Sequence, residues 1–409
     1  MSKKKRTPGR RLSAVVMLFF FLAFLLLPLR DMDRTGMILA VAVPMIIFLG
    51  TSLLPHLFPA DRLLLSLTNF LCALGVLLLY DTNPVYARQQ VFAYGIGVFC
   101  MIICIYLVRG IHSWRRWMLP LILGGLGLLA LPLVLGREIN GARNWVALGP
   151  VSFQPSEVVK LILVLVLAHF LSQRQILPCL LFLLVCLALL MLQKDLGTAL
   201  LYFSTGILLF WASTGNLAMT LLGLVGGSGA AVFGYLRFAH VRRRVSIWLN
   251  PWADYENAGY QLVQGLMAIA SGGLFGMGLG RGSPTSIPVY ESDFIFAVLC
   301  EQFGLIFGVC VLLMYVALIL RGAFIAMQAR HSFWGLLAMG ATALLGVQTF
   351  VIIGGVLKLI PLTGVTMPFV SYGGTSLISA MCLVGFISGV ESLNEDDLRE
   401  ESHLARLER

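Results

Sequence analysis

The sequence predicts an all-α polytopic membrane protein with about twelve transmembrane helices. Hydrophobic residues make up 59% of the 409 residues and charged residues only 12%, whereas soluble domains carry roughly 25% charged residues. Apolar runs of about 18 residues or more, each long enough to cross a bilayer as a helix, recur along most of the chain. These runs lack the alternating pattern of a membrane β-barrel, so helices are the structure that can span the bilayer here.

Short segments rich in polar residues, Gly and Pro separate the predicted spans. The spans cover residues 12–29, 36–54, 62–80, 90–108, 117–135, 156–172, 175–192, 197–213, 217–236, 294–320, 332–357 and 372–390. The first run follows a basic stretch but has no small-residue cleavage site and precedes further spans. We therefore interpret it as a membrane anchor and not as a signal peptide.

The net charge of +10 is distributed as a topology signal. Six basic residues lie in the N-terminal segment 1–11, and Lys and Arg side chains are held on the cytoplasmic side of membrane proteins. This pattern predicts cytoplasmic termini, including the charged tail 391–409, and it argues against nucleic-acid binding. Between them we distinguish the N-terminal spans 12–135 and a core of residues 136–390 that carries the polar motifs.

The polar motifs concentrate on the predicted outer side, in residues 137–155, 237–292 and 358–372. The segment 237–292 is too apolar for a flexible loop exposed to water, and residues 259–270 are predicted to form a helix along the membrane surface. Pro and Gly break the helix in 358–372, and irregular backbone at membrane depth is tolerated only against protein or a water-filled cavity. We predict a re-entrant element that lines a pocket, with a tight connector as the alternative.

A first group of candidate residues lies in the string "GARNWVALGPVSFQPSEVVKL". The guanidinium of Arg143 can bind phosphate oxygens with two hydrogen bonds at once. Ser156 is predicted to cap the next helix. Glu157 and Lys160, three residues apart, share a helix face and form either a structural ion pair at the interface or part of a site.

Asp195 in "QKDLGTALL" falls between two apolar spans. It could cap the next helix by accepting a hydrogen bond from the Thr198 amide. It could also face a polar cavity opposite Arg143 or Lys160, or hold a divalent cation.

The string "PVYESDFIFAVLCEQFG" has two acids, Glu291 and Asp293, at the start of the span after the long outer segment and a third, Glu301, inside the span. Asp293 lies at the junction of outer segment and membrane, where partial burial raises the pKa of a carboxyl group and makes it a better base. Glu301 lies about 12 Å deeper along the helix, so we interpret it as structural or bound to a partner group. Arg243, the middle of three consecutive arginines, could meet anionic headgroups or a diphosphate.

Five strings in this chain resemble those of the SEDS family, the RodA/FtsW/SpoVE proteins of bacterial shape, elongation, division and sporulation. They are "GARNW…QPSEVVKL", "DLGTALL", "GYQLVQGLMAIASGGLFGMGLG", "DFIFAV" and "PLTGVTMPFVSYGGTSLI". They follow one another in family order from about Asn140 to Ser376. Many members carry His-Thr before the aspartate, whereas this chain has Glu291 and Ser292 there.

The resemblance implies a peptidoglycan glycosyltransferase of the plasma membrane. Such enzymes polymerise lipid II, an undecaprenyl-diphosphate-linked disaccharide-peptide, on the outer face, and they work with a class B penicillin-binding transpeptidase. Ten spans are usual, which leaves two extra spans near the N-terminus of this chain. The essential aspartate of the family corresponds to Asp293, and its conserved Arg, Glu, Lys and Asp positions correspond to Arg143, Glu157, Lys160 and Asp195.

The expected mechanism has Asp293 as the general base for the acceptor hydroxyl, with cations at the leaving diphosphate. Arg143, Lys160 and Arg243 are the candidate cations, and Ser371 is a further candidate for hydrogen bonding to the substrate. A divalent cation, Mg²⁺ or Mn²⁺, is the expected cofactor if there is one; Asp195 is a candidate ligand, and the rest of the ligand set is not predicted. The alternative functions are a lipid II flippase or other transporter, in which the intramembrane charges act as a relay, and a membrane scaffold.

Overall fold

The computed structural model describes residues 9–31, 34–53, 55, 60–111, 113–139, 142–149 and 151–407. Most of the basic segment predicted to lie in the cytoplasm, residues 1–8, is outside the described residues. Within them the chain forms fourteen α-helices and one small antiparallel sheet. The helices are α1 Gly9–Asp31, α2 Arg34–Phe48, α3 Arg62–Thr82, α4 Pro84–Gly110, α5 Arg115–Leu135, α6 Pro155–Ser172, α7 Ile176–Leu192, α8 Leu196–Thr214, α9 Leu217–Arg237, α10 Ala239–Leu249, α11 Tyr260–Gly272, α12 Ile295–Gln328, α13 Ser332–Val356 and α14 Gly374–Leu407.

The predicted fold class is confirmed. Ten helices in the described part of the chain are long and apolar enough to cross a membrane, and Val16–Leu27 and Ile176–Leu192 are shorter apolar helices. Together these twelve match the twelve predicted spans. The chain is therefore a multi-pass membrane protein.

Short-range signals set the helix ends. Asp61 and Asn83 cap α3 and α4 by accepting hydrogen bonds from backbone amides, at 2.6 Å from Leu64 N and 2.9 Å from Val85 N. The prediction that Ser156 caps α6 is wrong, because the helix begins one residue earlier at Pro155. Proline is favoured at the first helical position, where its fixed φ suits the helix and its missing N–H is not needed.

The long outer segment contains the two short helices α10 and α11. The helix predicted for residues 259–270 is present as α11, and one of its faces packs on the start of α12. A Cβ added at Gly265 would lie 2.3 Å from the Phe294 ring, so only glycine permits this close approach. The segment is thus tied to the bundle at the residue that follows Asp293.

A three-stranded antiparallel sheet, which the sequence did not lead us to expect, precedes α6. Its strands are β1 Arg137–Ile139, β2 Ala142–Leu148 and β3 Val151–Phe153. The amide of Arg143 donates to the carbonyl of Gln193 at 3.0 Å, so the sheet is fixed to the end of α7. Because side chains alternate along a strand, neighbouring residues of β2 point in opposite directions.

Helix α12 bends sharply at Gly304, where φ is 85° and ψ is 168°. The bend lets the loop after α11 pack against the helix. The amides of Met277 and Gly278 donate to the carbonyls of Glu301 and Gln302 at 2.9 and 3.0 Å. Asp293 therefore precedes a short helical segment that this loop holds in place.

The N-terminal helix α1 packs beside this bend. Phe20 of α1 is fully buried and lies edge-on to Phe70 of α3. Phe19 has its ring centroid 6.5 Å from that of Phe303 and 6.3 Å from that of Phe307. Helix α1 thus contacts α12 on both sides of Gly304 in the sequence, at Phe303 and Phe307.

We predict that Gly304→Ala destabilises the protein by about 1–3 kcal/mol or more, because φ is positive there and the new methyl group would meet backbone. A Cβ at this position would lie 2.4 Å from Gly276 N and Leu274 O. Thermal unfolding of the purified protein in detergent measures the change. Gly127→Ala in α5 is the matched control, since nothing lies within 4 Å of its added Cβ; equal unfolding midpoints for the two variants would contradict the prediction.

Candidate functional site

A cavity of about 1130 Å³ opens at the end of the bundle where the three predicted outer segments meet. Helices α4, α6, α8, α10, α13 and α14 contribute to its wall. Charged and hydrogen-bonding side chains form much of the surface, while Phe92 and Ile96 of α4 supply an apolar side that is exposed on the outside of the bundle. Such a cavity can take a ligand with both polar and apolar parts.

Asp293 lies in the wall of this cavity, two residues before α12 begins. Its Oδ1 accepts a hydrogen bond from Ser292 Oγ at 2.7 Å. Burial raises the pKa of this carboxyl group to about 6, while the Ser292 hydroxyl and the Arg244 guanidinium oppose the rise and Glu291 adds to it. A carboxyl group with this pKa is ionised at neutral pH and close to the range that suits a general base.

The backbone around Asp293 is unusually constrained. Its amide donates to the carbonyl of Val289 at 3.2 Å. Val289 has φ of 55°, which is rare for a β-branched residue and costs of order 1–3 kcal/mol. Gly364 (φ 73°) lies across from the carboxylate, and a Cβ there would be 3.5 Å from Asp293 Oδ2. Strained backbone of this kind is typical of functional sites.

Arg244 supplies positive charge to the same cavity. It projects from α10, and its guanidinium donates to the carbonyls of Thr363 and Leu362 at 3.0 and 3.4 Å. Burial lowers the pKa of this group, and the negative charges of Asp195 and Asp293 raise it. Arginine stays protonated in proteins, so a partly desolvated cation faces the cavity.

A second cation, Lys160, enters the cavity from α6. It is almost fully buried, forms an ion pair with Glu157 and donates to Gln348 Oε1 at 3.2 Å. Gln348 in turn donates to the Thr366 carbonyl at 2.8 Å, and Ser379 Oγ donates to Glu157 at 2.5 Å. The network therefore joins α6, α13, α14 and the irregular segment before α14.

Asp195 lines the cavity and also caps α8. Its Oδ1 accepts from the Thr198 amide at 3.0 Å, and its Oδ2 accepts from Asn144 Nδ2 at 2.9 Å and Gln154 Nε2 at 3.1 Å. The interpretation as a helix cap is confirmed. Because Asn144 belongs to β2 and Gln154 precedes α6, the carboxylate also holds the sheet beside the cavity.

The irregular segment 357–373 forms part of the cavity wall between Leu362 and Thr366, as expected of a re-entrant element. Ser371 is buried in its last turn. The Ser371 hydroxyl donates to the Ser292 carbonyl at 2.5 Å and accepts from the Met367 amide at 2.8 Å. Ser371 thus fixes the residue beside Asp293.

The structure brings together four of the seven predicted site residues in one cavity: Glu157, Lys160, Asp195 and Asp293. The other three, Arg143, Arg243 and Ser371, do not line this cavity in the described structure, and their contacts with substrate stay predictions. Arg143 is exposed on the sheet, and its neighbour Asn144 faces the cavity. Arg244 takes the place predicted for Arg243, and Ser371 is occupied by backbone contacts. Glu301 is structural as interpreted, since its Oε1 accepts from the Ser283 amide at 3.0 Å.

The sequence reasoning missed Arg244 and Gln348. Arg244 belongs to a triplet in which no pattern distinguishes the three residues, and Gln348 is a lone amide within an apolar span. An amide at membrane depth needs partners in the protein, and that signal could have found Gln348.

Among the described residues, no group of three or more His, Cys, Asp and Glu side chains could hold a metal ion. The cavity therefore offers no complete protein cage for Mg²⁺ or Mn²⁺. A metal ion held by one or two carboxylates needs substrate phosphates as its other ligands. The divalent cation stays a prediction, and the proposed reaction does not depend on it.

The fold and the site define a multi-pass membrane protein with a cavity in which a carboxyl group, two cations and an apolar wall meet. A family model described as "Cell cycle protein", which covers FtsW, RodA and SpoVE, matches residues 62–395. The chain belongs to this family. The match begins at α3, so α1 and α2 lie outside it.

Individual relatives and solved structures agree with the family match. The chain is 32% identical over 373 residues to peptidoglycan glycosyltransferase RodA of Mycobacterium leprae (84% of this chain, 80% of the relative). It is 36% identical over 359 residues to stage V sporulation protein E of Bacillus subtilis (81% of this chain, 96% of the relative). The crystal structure of Thermus thermophilus RodA superposes with a TM-score of 0.61 at 31% identity, covering 82% of this chain and 98% of that one. A chain from a peptidoglycan synthase complex that coordinates polymerization and crosslinking gives 0.70 at 31% identity, covering 82% and 98%.

We predict that Lys160→Met destabilises the protein by about 3–5 kcal/mol, because Glu157 would remain as a charge without its partner inside the bundle. Adding Glu157→Gln should recover more than about half of this loss, since no unpaired charge then remains. Thermal unfolding of the single and double variants measures both effects. Purely additive losses would show that the two side chains do not depend on each other.

Proposed function

We propose that this chain is a peptidoglycan glycosyltransferase that extends a glycan strand with disaccharide units from lipid II, in cell elongation, division or sporulation. The observation that carries the proposal is the position of Asp293, a carboxyl group with a raised pKa in a cavity that also holds Arg244 and Lys160. The relatives named RodA are peptidoglycan glycosyltransferases, and the chain covers most of their length.

The cavity suits an amphiphilic donor. Lipid II combines a polyprenyl tail with a diphosphate and sugars. Phe92 and Ile96 extend the cavity wall onto the outer surface of α4, where they are 72% and 38% exposed. A tail can lie against this apolar surface while the sugars and the diphosphate enter the polar part of the cavity.

In the proposed reaction Asp293 removes the proton from the 4-hydroxyl of the acceptor sugar. The hydroxyl oxygen forms a bond to the anomeric carbon of the donor, and the bond from that carbon to the diphosphate breaks with inversion. The proton ends on Asp293, and the electron pair leaves with undecaprenyl diphosphate. General-base assistance of this kind contributes roughly 10²–10⁴-fold.

The leaving diphosphate gains negative charge and needs cations close by. Arg244 and Lys160 are positioned for this role in the cavity. Arg244 is the stronger candidate, because Lys160 already pairs with Glu157. Contacts of the exposed Arg143 and Arg243 with substrate or with membrane lipid stay predictions.

The proposed partner is a class B penicillin-binding protein, which would crosslink the strands that this chain makes. The similarity to a chain from a peptidoglycan synthase complex supports a partner of this kind. In the proposed orientation the cavity faces outward from the plasma membrane and both termini are cytoplasmic, as the distribution of Lys and Arg indicates.

Asp293→Asn should lower the rate of glycan polymerisation by roughly 10²–10⁴-fold, because the amide cannot accept the proton. The assay supplies lipid II to purified protein with its transpeptidase and measures glycan chain length. Glu256→Gln, an exposed acid of the outer segment, is the matched control. Wild-type chain growth by Asp293→Asn would remove Asp293 from the base role, and a wild-type protein that moves lipid II across vesicles without making glycan would favour a flippase.

The pH dependence of the rate should report the surroundings of Asp293. The rate falls as pH drops through the pKa of Asp293, near 6, because the base becomes protonated. Ser292→Ala removes a hydrogen bond to the ionised carboxylate of Asp293, worth about 1.5 kcal/mol. The acidic limb of the pH–rate profile, where the rate falls at low pH, should therefore move up by roughly one pH unit. Glu291→Gln removes a neighbouring negative charge and should move it down. Identical acidic limbs in all three proteins would contradict the assignment.

A further inference from the structure

A second cavity, of about 720 Å³, lies near the opposite ends of the helices that form the first. In α4, Gln89 lines the first cavity and Tyr106 the second; in α14, Gly374 lines the first and Glu391 the second. Each pair is about 17 residues apart, or about 25 Å at the helical rise. The second cavity is therefore separate from the site around Asp293, at the other end of the bundle.

One side of this cavity carries more negative than positive charge. Arg321 binds Asp61 at 2.7 Å and also pairs with Glu391, so two carboxylates share one guanidinium. Within the described structure, Glu391 Oε2 is buried without a hydrogen-bond partner. Ser388 lies one turn earlier on α14, is fully buried, lines the cavity and has a hydroxyl group with no partner among the described residues. Unpaired buried polar atoms are costly and often mark a missing ligand.

The rest of the cavity wall carries further arginines, two of which are paired with acids of α14. Arg109 contacts Ser392 and pairs with Asp396 at 3.1 Å, and Arg62 and Arg399 also line the wall. A guanidinium has several N–H donors and can bind a phosphate beside a carboxylate. Arg399 pairs with Glu395 at 3.4 Å. The four arginines of the wall balance the four acids, Asp61, Glu391, Glu395 and Asp396, so the cavity has no excess of either charge.

The cavity also adjoins an apolar surface. Tyr106 of its wall is 51% exposed, and Ile103 and Phe99, on the same face of α4, are 40% and 65% exposed. Residues at these spacings form one stripe along a helix. An acyl chain that leaves the cavity beside Tyr106 can follow this stripe into the bilayer.

We propose that this second cavity binds the headgroup of an aminophospholipid, such as phosphatidylethanolamine. The primary ammonium donates to Glu391 Oε2 and lies beside Asp61, the phosphate faces Arg109, and an acyl chain follows Ile103 and Phe99. A purely anionic headgroup would meet the two carboxylates on Arg321, and a choline headgroup has no N–H to donate. The balance of acids and arginines and the unpaired carboxyl oxygen of Glu391 therefore favour a zwitterion with a primary amine.

The test is native mass spectrometry of the full-length purified protein with phosphatidylethanolamine, phosphatidylcholine and phosphatidylglycerol of identical acyl chains. Phosphatidylethanolamine should bind at least about tenfold more tightly than the other two, because each of them lacks one of the required groups. Equal binding of the three lipids, or tighter binding of phosphatidylglycerol, would overturn the proposal.

Three variants locate the binding. Glu391→Gln should reduce the affinity for phosphatidylethanolamine at least about tenfold and leave phosphatidylcholine unchanged. Ser388→Ala should reduce it about two- to fivefold, and this small change in a buried side chain keeps the test open if Glu391→Gln does not fold. Glu256→Gln, on the outer segment, is the control with expected wild-type affinity. Wild-type binding by both folded cavity variants would show that the lipid does not use this cavity.

Discussion

A lysine at membrane depth must be neutralised and hydrogen-bonded within the protein, and Lys160 imposes this constraint on the whole interior. Its ammonium pairs with Glu157 and donates to Gln348, which reaches Thr366, while Ser379 donates to Glu157. Each partner comes from a different part of the chain. The ion pair itself forms within α6, since its two residues are three apart. The further hydrogen bonds of both side chains form only if α6, α13, α14 and the irregular segment take up one arrangement, so a costly buried charge specifies the packing around the cavity.

The same constraint reaches Asp293 through the irregular segment. Thr366 is tied to the lysine network, and a few residues later Ser371 donates to the carbonyl of Ser292. Gly364 brings the backbone of this segment against the Asp293 carboxylate without a side chain between them. The burial that raises the pKa of Asp293 thus depends on a backbone that is itself fixed by Lys160.

Local patterns in the sequence were enough for the helices and for part of the site. Hydropathy located the twelve spans, the three-residue spacing predicted the pair of Glu157 with Lys160, and the residues before "LGTALL" predicted the cap at Asp195. Contacts between residues that are far apart in the sequence could not be predicted from these local patterns. Successive residues on α10 point about 100° apart, so the choice between Arg243 and Arg244 depends on how that helix docks, and no local signal records it.

The opposite end of the bundle completes the support of Asp293, the proposed base. Helix α12 begins two residues after Asp293, bends at Gly304 and ends beyond Arg321, which binds Asp61 and Glu391. A helix fixed at its far end by two ion pairs and held at its bend by the loop after α11 presents its first residues in one position. Catalytic groups need support of this rigidity, and here the distant ion pairs and the bend provide it together.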